Sequence, residues 1–296
     1  MLPKMNLPRT RTVRGLQRYV FLLVLILFFI FIVLFLSQKD FYKQQVNKES
    51  VKGAITAPTI YITPTPTPTQ QPTLTPTPTI IVLKKASYTI AIFGDSMVDT
   101  MGDNLEYLGK SLVNKYPLTE FKLYNYGIGG QNVEQGLGRF ESTFSNKTRQ
   151  YPPLPALHSD VIIIGSFAYN PFSIHDKNKH YTLLSQLVEK AKNIAPRVYV
   201  LAEIAPLKIG FGKGKNGVNW PEDMSKQQAL QILEQLDNAV NVSSSQGVKL
   251  INAYQRSRID GAFGSTYYVN PDDGIHPSAP GHTFMAELIA ETLEFE

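Results

Sequence analysis

The chain contains no cysteine. That excludes a disulfide framework, a thiolate metal site and a cysteine nucleophile. Histidine is scarce too, with 5 in 296 residues. His175 and His180, in "HDKNKH", stand five apart and share no helical face, so a solvated loop is expected there and no metal site. Two glycine-bearing segments are not expected to be phosphate or dinucleotide cradles. "KIGFGKGKNGVNW" (208–220) lacks the Walker pattern, and "GIGGQN" (127–132) lacks the Gly-x-Gly-x-x-Gly spacing. No Gly-x-Ser-x-Gly elbow occurs. Nor does the body of the chain carry excess basic charge. Residues 1–56 hold 9 Lys/Arg against 2 Asp/Glu, whereas the remaining residues hold 20 against 22. The net charge of +5 therefore belongs to the N-terminus. Without a basic face to neutralise phosphates, nucleic acid is not an expected partner.

What is present begins with organisation. Residues 1–18 carry Lys4, Arg9, Arg11, Arg14 and Arg18. Residues 19–36, "YVFLLVLILFFIFIVLFL", form an uncharged run that as a helix covers about 27 Å, close to the hydrocarbon thickness of a bilayer. The basic flank places that end in the cytoplasm. A cleaved signal peptide is the competing reading. Against it stand the length of the run and the absence of a small-x-small cleavage site in "SQKDFYKQQ". A single-pass plasma-membrane anchor is thus expected, followed by an extracytoplasmic linker over 37–85. Within the linker, residues 57–79 are Pro or Thr at 16 of 23 positions. Such a tract favours extended polyproline II and reads as a stalk of roughly 70 Å.

From residue 86 to 296 the texture is that of one domain. Apolar runs at 88–93, 121–126, 160–167, 197–204 and 248–254 read as strands covered on both faces. Helical stretches are expected near 103–115, 131–147, 179–194, 222–245 and 280–294, with Pro221 at the first position of the fourth. Asp99 and Thr100 read as caps of the first. This β-α alternation predicts a three-layer α/β/α domain around a five-stranded parallel sheet. In such a sheet, residues just after the strands gather along one edge. Here they are Gly94-Asp95-Ser96, then Gly127, Gly129 and Gly130, then Asn170. Near the C-terminus stand Asp273 and His276. A serine, a glycine turn, an asparagine and an Asp-x-x-His are the parts of an acyl-transfer site. Asp95 reads as a structural turn residue. The 208–220 segment reads either as a flexible excursion or as a lid or substrate loop with Trp220 on its edge.

The set "GDS" (94–96), "NYGIGG" (125–130) and "DGIHP" (273–277) resembles the motif blocks of the SGNH (GDSL-type) hydrolase family of esterases and lipases. The resemblance implies a flavodoxin-like fold and a serine esterase with neither metal nor organic cofactor. It makes Ser96 the nucleophile, His276 the base and Asp273 the group that orients the imidazole. The oxyanion hole would comprise the backbone N–H groups of Ser96 and Gly130 and an asparagine amide. The third block departs from the family pattern Gly-x-Asn-Asp. In "GSFAYNP" (165–171), Phe167 and Ala168 stand where that pair is expected, and Asn170 is the nearby amide that can replace it. The expected substrate is a small-molecule or glycan ester, such as an acylated cell-envelope glycan. Acyl transfer to a sugar hydroxyl would use the same residues. A glycan-binding domain with a decayed site is the non-enzymatic alternative. No feature of the sequence sets an oligomeric state.

Overall fold

The computed structural model describes residues 81–295. The expected cytoplasmic segment 1–18, membrane span 19–36 and Thr-Pro tract 57–79 lie outside the described residues. Among the described residues, no helix is long and apolar enough to cross a membrane.

Five strands form one sheet: β1 (Ser87–Gly94), β2 (Glu120–Gly127), β5 (Val161–Gly165), β6 (Val198–Ala202) and β7 (Lys249–Asn252). Their order is β2-β1-β5-β6-β7, and every neighbouring pair is parallel. Two short strands, β3 (Phe144–Asn146) and β4 (Arg149–Tyr151), pair separately as an antiparallel hairpin. With the hairpin set aside, the sheet order is 2-1-3-4-5, the doubly wound order of flavodoxin-type folds. β5, "VIIIG", is buried at every position. Such a strand needs helices on both sides of the sheet, and right-handed crossovers that reverse direction at β1 deliver them.

The helices are α1 (Ser96–Asp99), α2 (Glu106–Lys115), α3 (Val133–Arg139), α4 (Lys177–Lys192), α5 (Glu222–Gln246), α6 (Ala253–Arg256) and α7 (Ala279–Thr292). α2 packs against α7, while α3, α4 and α5 pack in series. All five strands fall where hydrophobic runs predict them. The helix expected over 131–147 does not run that far. It is capped by Asn132 in a reciprocal capping box with Gln135, ends at Arg139, and gives way to the β3–β4 hairpin. Asp99 and Thr100 do not cap α2, whose N-cap position is Leu105; they close α1 instead. Pro221 precedes the first turn of α5 by one residue. "HDKNKH" is not a solvated loop throughout. Asp176 caps α4, and His180 is buried within it.

Candidate active site

The register aligns Gly94 with Gly127 at the ends of β1 and β2, and places Phe93 opposite Ile164 beside them. The C-terminal ends of three strands therefore converge, and the chain turns sharply after each. After β1, Asp95 caps the short α1. Its carboxylate accepts the Met97 N–H at 3.0 Å, and its carbonyl accepts the Asp99 N–H at 2.9 Å. This fixes Ser96 at the first helical position, half-buried, with Oγ bonded to nothing among the described residues. Asp95 is thus a structural residue, as expected, and it is fully buried. Burial raises its carboxyl above the ordinary range, opposed by the Met97 N–H, the Asn170 amide and the nearby His276.

After β2 the chain passes through Gly129 and Gly130. Gly130 has φ +75, and a Cβ there would meet nothing within 4 Å, so glycine answers to the backbone conformation alone. Among the described residues neither the Ser96 N–H nor the Gly130 N–H donates to the protein. The loop is anchored from outside. Arg139 Nη2 donates to the carbonyls of Gly94 and Tyr126 at 2.8 and 2.9 Å, and its guanidinium stacks 4.0 Å from the Phe93 ring centroid. Asp99 is buried between Arg149 and Lys147, whose Nζ lies 2.9 Å away. Asn146 Nδ2 donates to the Gly127 carbonyl at 3.0 Å. These hairpin residues give no motif-like signal in the sequence. Asp99 is 47 to 50 residues away from them in the chain, and Gly127 is 19 residues from Asn146.

After β5 the chain shows its departure from the family pattern. Phe167 and Ala168 are buried, so neither occupies a position from which it reaches solvent. Phe167 holds φ +56, in the left-handed region, and packs 5.9 Å from Phe93. A Cβ on Gly136 would stand 2.6 Å from its ring. The turn brings Asn170 to the cavity, where its Nδ2 donates to Asp95 Oδ2 at 2.9 Å.

Asp273 and His276 share one turn ahead of α7. Asp273 Oδ1 accepts the N–H groups of Ile275 and His276 at 2.7 and 2.9 Å, and Oδ2 lies 2.9 Å from His276 Nδ1. Nε2 has no partner among the described residues. Gly274, at φ +66, lets this turn dock on the 208–220 segment, because a side chain there would strike the Gly210 carbonyl. Gly212 N–H donates to the Gly274 carbonyl at 3.1 Å, Asn216 N–H to the Asp272 carbonyl at 2.8 Å, and Lys215 pairs with Asp272 at 3.1 Å. The segment is thus seated as a wall.

Ser96, Gly130, Asn170 and His276 all border one cavity of about 470 Å³, within the usual size for a small-ligand site of about 300–1,000 Å³. Tyr169, Phe211, Val218, Trp220 and Ile275 make its apolar side; Thr100, Asn132 and Gln228 add polar groups. A second cavity of about 570 Å³ lies at the N-terminal ends of β6 and β7, among Lys192, Arg197 and Lys249, and holds none of these groups. No group of three or more metal-ligating side chains exists among the described residues. His175 pairs with Glu234 at 2.7 Å, and His180 Nε2 lies 2.9 Å from the Ser166 carbonyl.

The family model of the GDSL-like Lipase/Acylhydrolase matches residues 90–289, from within β1 to within α7. No curated protein sequence matches the chain. Among solved structures it is similar to the lipase/acylhydrolase from Enterococcus faecalis, with 16% identity and a TM-score of 0.52 over 69% of this chain and 94% of that one. It is also similar to a GDSL-like lipase from Parabacteroides merdae, with 20% identity and a TM-score of 0.51 over 73% of this chain and 98% of that one. At these identities the two likenesses concern the fold, while the family match spans most of the domain. The chain belongs to the GDSL-like lipase/acylhydrolase family and is a hydrolase acting on esters.

Proposed function

We propose that the chain is a membrane-anchored serine esterase acting outside the cytoplasm on O-acylated glycans of the cell envelope. The observation that carries the chemistry is the set of free groups around one cavity: Ser96 Oγ, the Ser96 and Gly130 N–H groups, and His276 Nε2 with Asp273 locked on Nδ1. In this reading Ser96 Oγ attacks the ester carbonyl carbon as its proton passes to His276 Nε2. Asp273 holds the tautomer and stabilises the imidazolium. The carbonyl oxygen becomes an oxyanion that accepts from the N–H groups of Ser96 and Gly130 and from the second hydrogen of Asn170 Nδ2. The carbon–oxygen bond to the alcohol breaks, and His276 returns the proton to that oxygen. Water then repeats the sequence on acyl-Ser96, releasing the acid and restoring the hydroxyl. Ser96 Oγ and His276 Nε2 border the same cavity without a hydrogen bond between them among the described residues; catalytic hydrogen bonds of this kind often tighten only in the substrate complex.

The glycan assignment is supported by location and by the cavity wall. Residues 1–18 are read as cytoplasmic, 19–36 as the span, and 37–85 as a linker whose Thr-Pro tract carries the 86–296 domain away from the bilayer. A cavity pairing Trp220, Phe211 and Tyr169 with Asn132 and Gln228 suits a ring that has one apolar face and hydroxyl edges.

One experiment addresses both halves. Intact cells displaying the chain are treated with protease, and the released material is labelled with a fluorophosphonate and mapped. The expected result is an active fragment cut within 57–79 and labelled on Ser96. Label on another serine overturns the chemistry, and a protected domain overturns the orientation.

A further inference from the structure

One buried group at the strand edge has no part in the chemistry just described. Glu203 follows β6 and is 0% exposed. Its Oε1 accepts the Ser166 N–H at 3.0 Å, and its Oε2 is hydrogen-bonded to Ser166 Oγ. Ser166 Oγ in turn accepts the Ala168 N–H at 3.1 Å. Two residues further on, Tyr169 donates its hydroxyl to the Ile204 carbonyl at 2.7 Å, a second tie between the same two loops. The carboxyl lies against the backbone where β5 meets β1. A Cβ on Gly165 would stand 2.9 Å from Glu203 Oε1 and 3.3 Å from the Gly94 Cα. Glu203 thus supports from below the loop that replaces the family's third block, beside the strand end that carries Asp95 and Ser96.

We infer that Glu203 is a positioning residue for the oxyanion site: acting through Ser166, it sets the 165–170 loop so that Asn170 reaches Asp95 and presents its amide to the cavity. This rests on the reading of Ser96 and Asn170 given under Proposed function. Glu203 touches neither the cavity nor the reacting atoms.

The electrostatics agree with the geometry. Burial, and then the charge of Asp95, push Glu203 up to about 8. The two carboxyls are buried at one strand edge, and burial raises both. The groups facing them differ. Asp95 feels His276 and Arg139, both of which favour its charge, whereas the other titratable groups near Glu203 are Tyr169 and, through the Ser166 carbonyl, the neutral His180. Burial holds His180 down to about 4. Glu203 therefore keeps its proton at neutral pH, beside the Asp95 carboxyl that accepts from Asn170. Above about 8 the Glu203 carboxylate appears. It repels Asp95 and opposes the developing oxyanion, so kcat falls.

The test compares Glu203→Ala and Glu203→Gln in the full chain, with active sites counted by titration of Ser96. Glu203→Ala leaves the Ser166 groups unpaired and is expected to lower kcat at least tenfold with KM nearly unchanged. Glu203→Gln mimics the neutral acid. It is expected to restore most of that loss at pH 7 and to remove the fall in kcat that the unsubstituted chain shows as pH rises through about 8. An unchanged kcat in Glu203→Ala overturns the proposal. So does a Glu203→Gln pH profile that superimposes on that of the unsubstituted chain, and this second outcome decides even if the alanine variant does not fold. Failure of Ser96 to label in the unsubstituted chain would instead strike the parent reading.

Discussion

The Asp273–His276 turn and the 165–170 loop border the same cavity, yet they hold their polar groups by opposite means. In the turn, both oxygens of Asp273 are occupied by groups no more than three residues away. In the loop, Asn170 is held by Asp95, 75 residues distant, and Ser166 by Glu203, 37 residues distant. Phe167 rests on a glycine of α3. A turn closed by its own neighbours forms wherever its few residues occur together. A loop closed by distant partners exists only after the sheet has brought three strand ends side by side.

The sharpest way to test that contrast is to strike the local side first. Asp273→Asn leaves the turn's N–H acceptors in place but donates toward His276 Nδ1, which selects the wrong tautomer. We expect kcat to fall on the order of 10⁴-fold with thermal stability nearly retained, as loss of the orienting carboxylate does in a serine triad. An activity within tenfold of the unsubstituted chain would remove Asp273 from its assigned role.

On the other side, Asn170→Ala takes away one of the three oxyanion donors of the proposed mechanism. The expected loss in kcat is about 10²–10³-fold with little change in KM, since the contact strengthens in the transition state. Steady-state kinetics normalised by Ser96 titration measure it. An unchanged kcat would mean that Asn170 serves only to cap Asp95.

The smallest effect should come from a residue that touches neither the cavity nor Asn170. Gly136→Ala in α3 would ordinarily favour the helix by about 0.5–1 kcal/mol. Here the new methyl meets the Phe167 ring, and overpacking of this kind costs about 1–3 kcal/mol. We expect a net loss of stability in a denaturant titration and a fall in kcat smaller than that of Asn170→Ala. A stabilised variant of unaltered kcat would show that the loop is not tuned through Phe167.

Much of this architecture was legible in the amino-acid order. Five apolar runs mark five buried strands, because a strand covered on both faces must be apolar at nearly every position. "GDS" and "DGIHP" mark their turns, because the hydrogen bonds that close those turns lie within the motifs themselves. The β3–β4 hairpin was not legible. Its strands are three residues long and largely polar, and what gives them structure is the ion pairing of Arg149 and Lys147 with Asp99 across the glycine loop. The same limit applies to His180. It sits in a charged hexapeptide that reads as solvated, and α4 turns it inward onto the Ser166 carbonyl.

The sequence by itself determined the strands, the Gly94-Asp95-Ser96 turn, the Asp-His turn and the two-glycine loop, since each is specified by residues in immediate succession. It also singled out Asn170 as the amide after the third strand. Only the tertiary structure decided that Asn170 borders the cavity and bonds Asp95, that Phe167 and Ala168 face the core, and that a buried Glu203 stands beneath them. A glutamate after a strand is unremarked in a sequence. Its burial, its pairing with Ser166 and its closeness to Asp95 arise only when β1, β5 and β6 lie side by side, because solvent exclusion and the field of a neighbouring charge are properties of the packed chain.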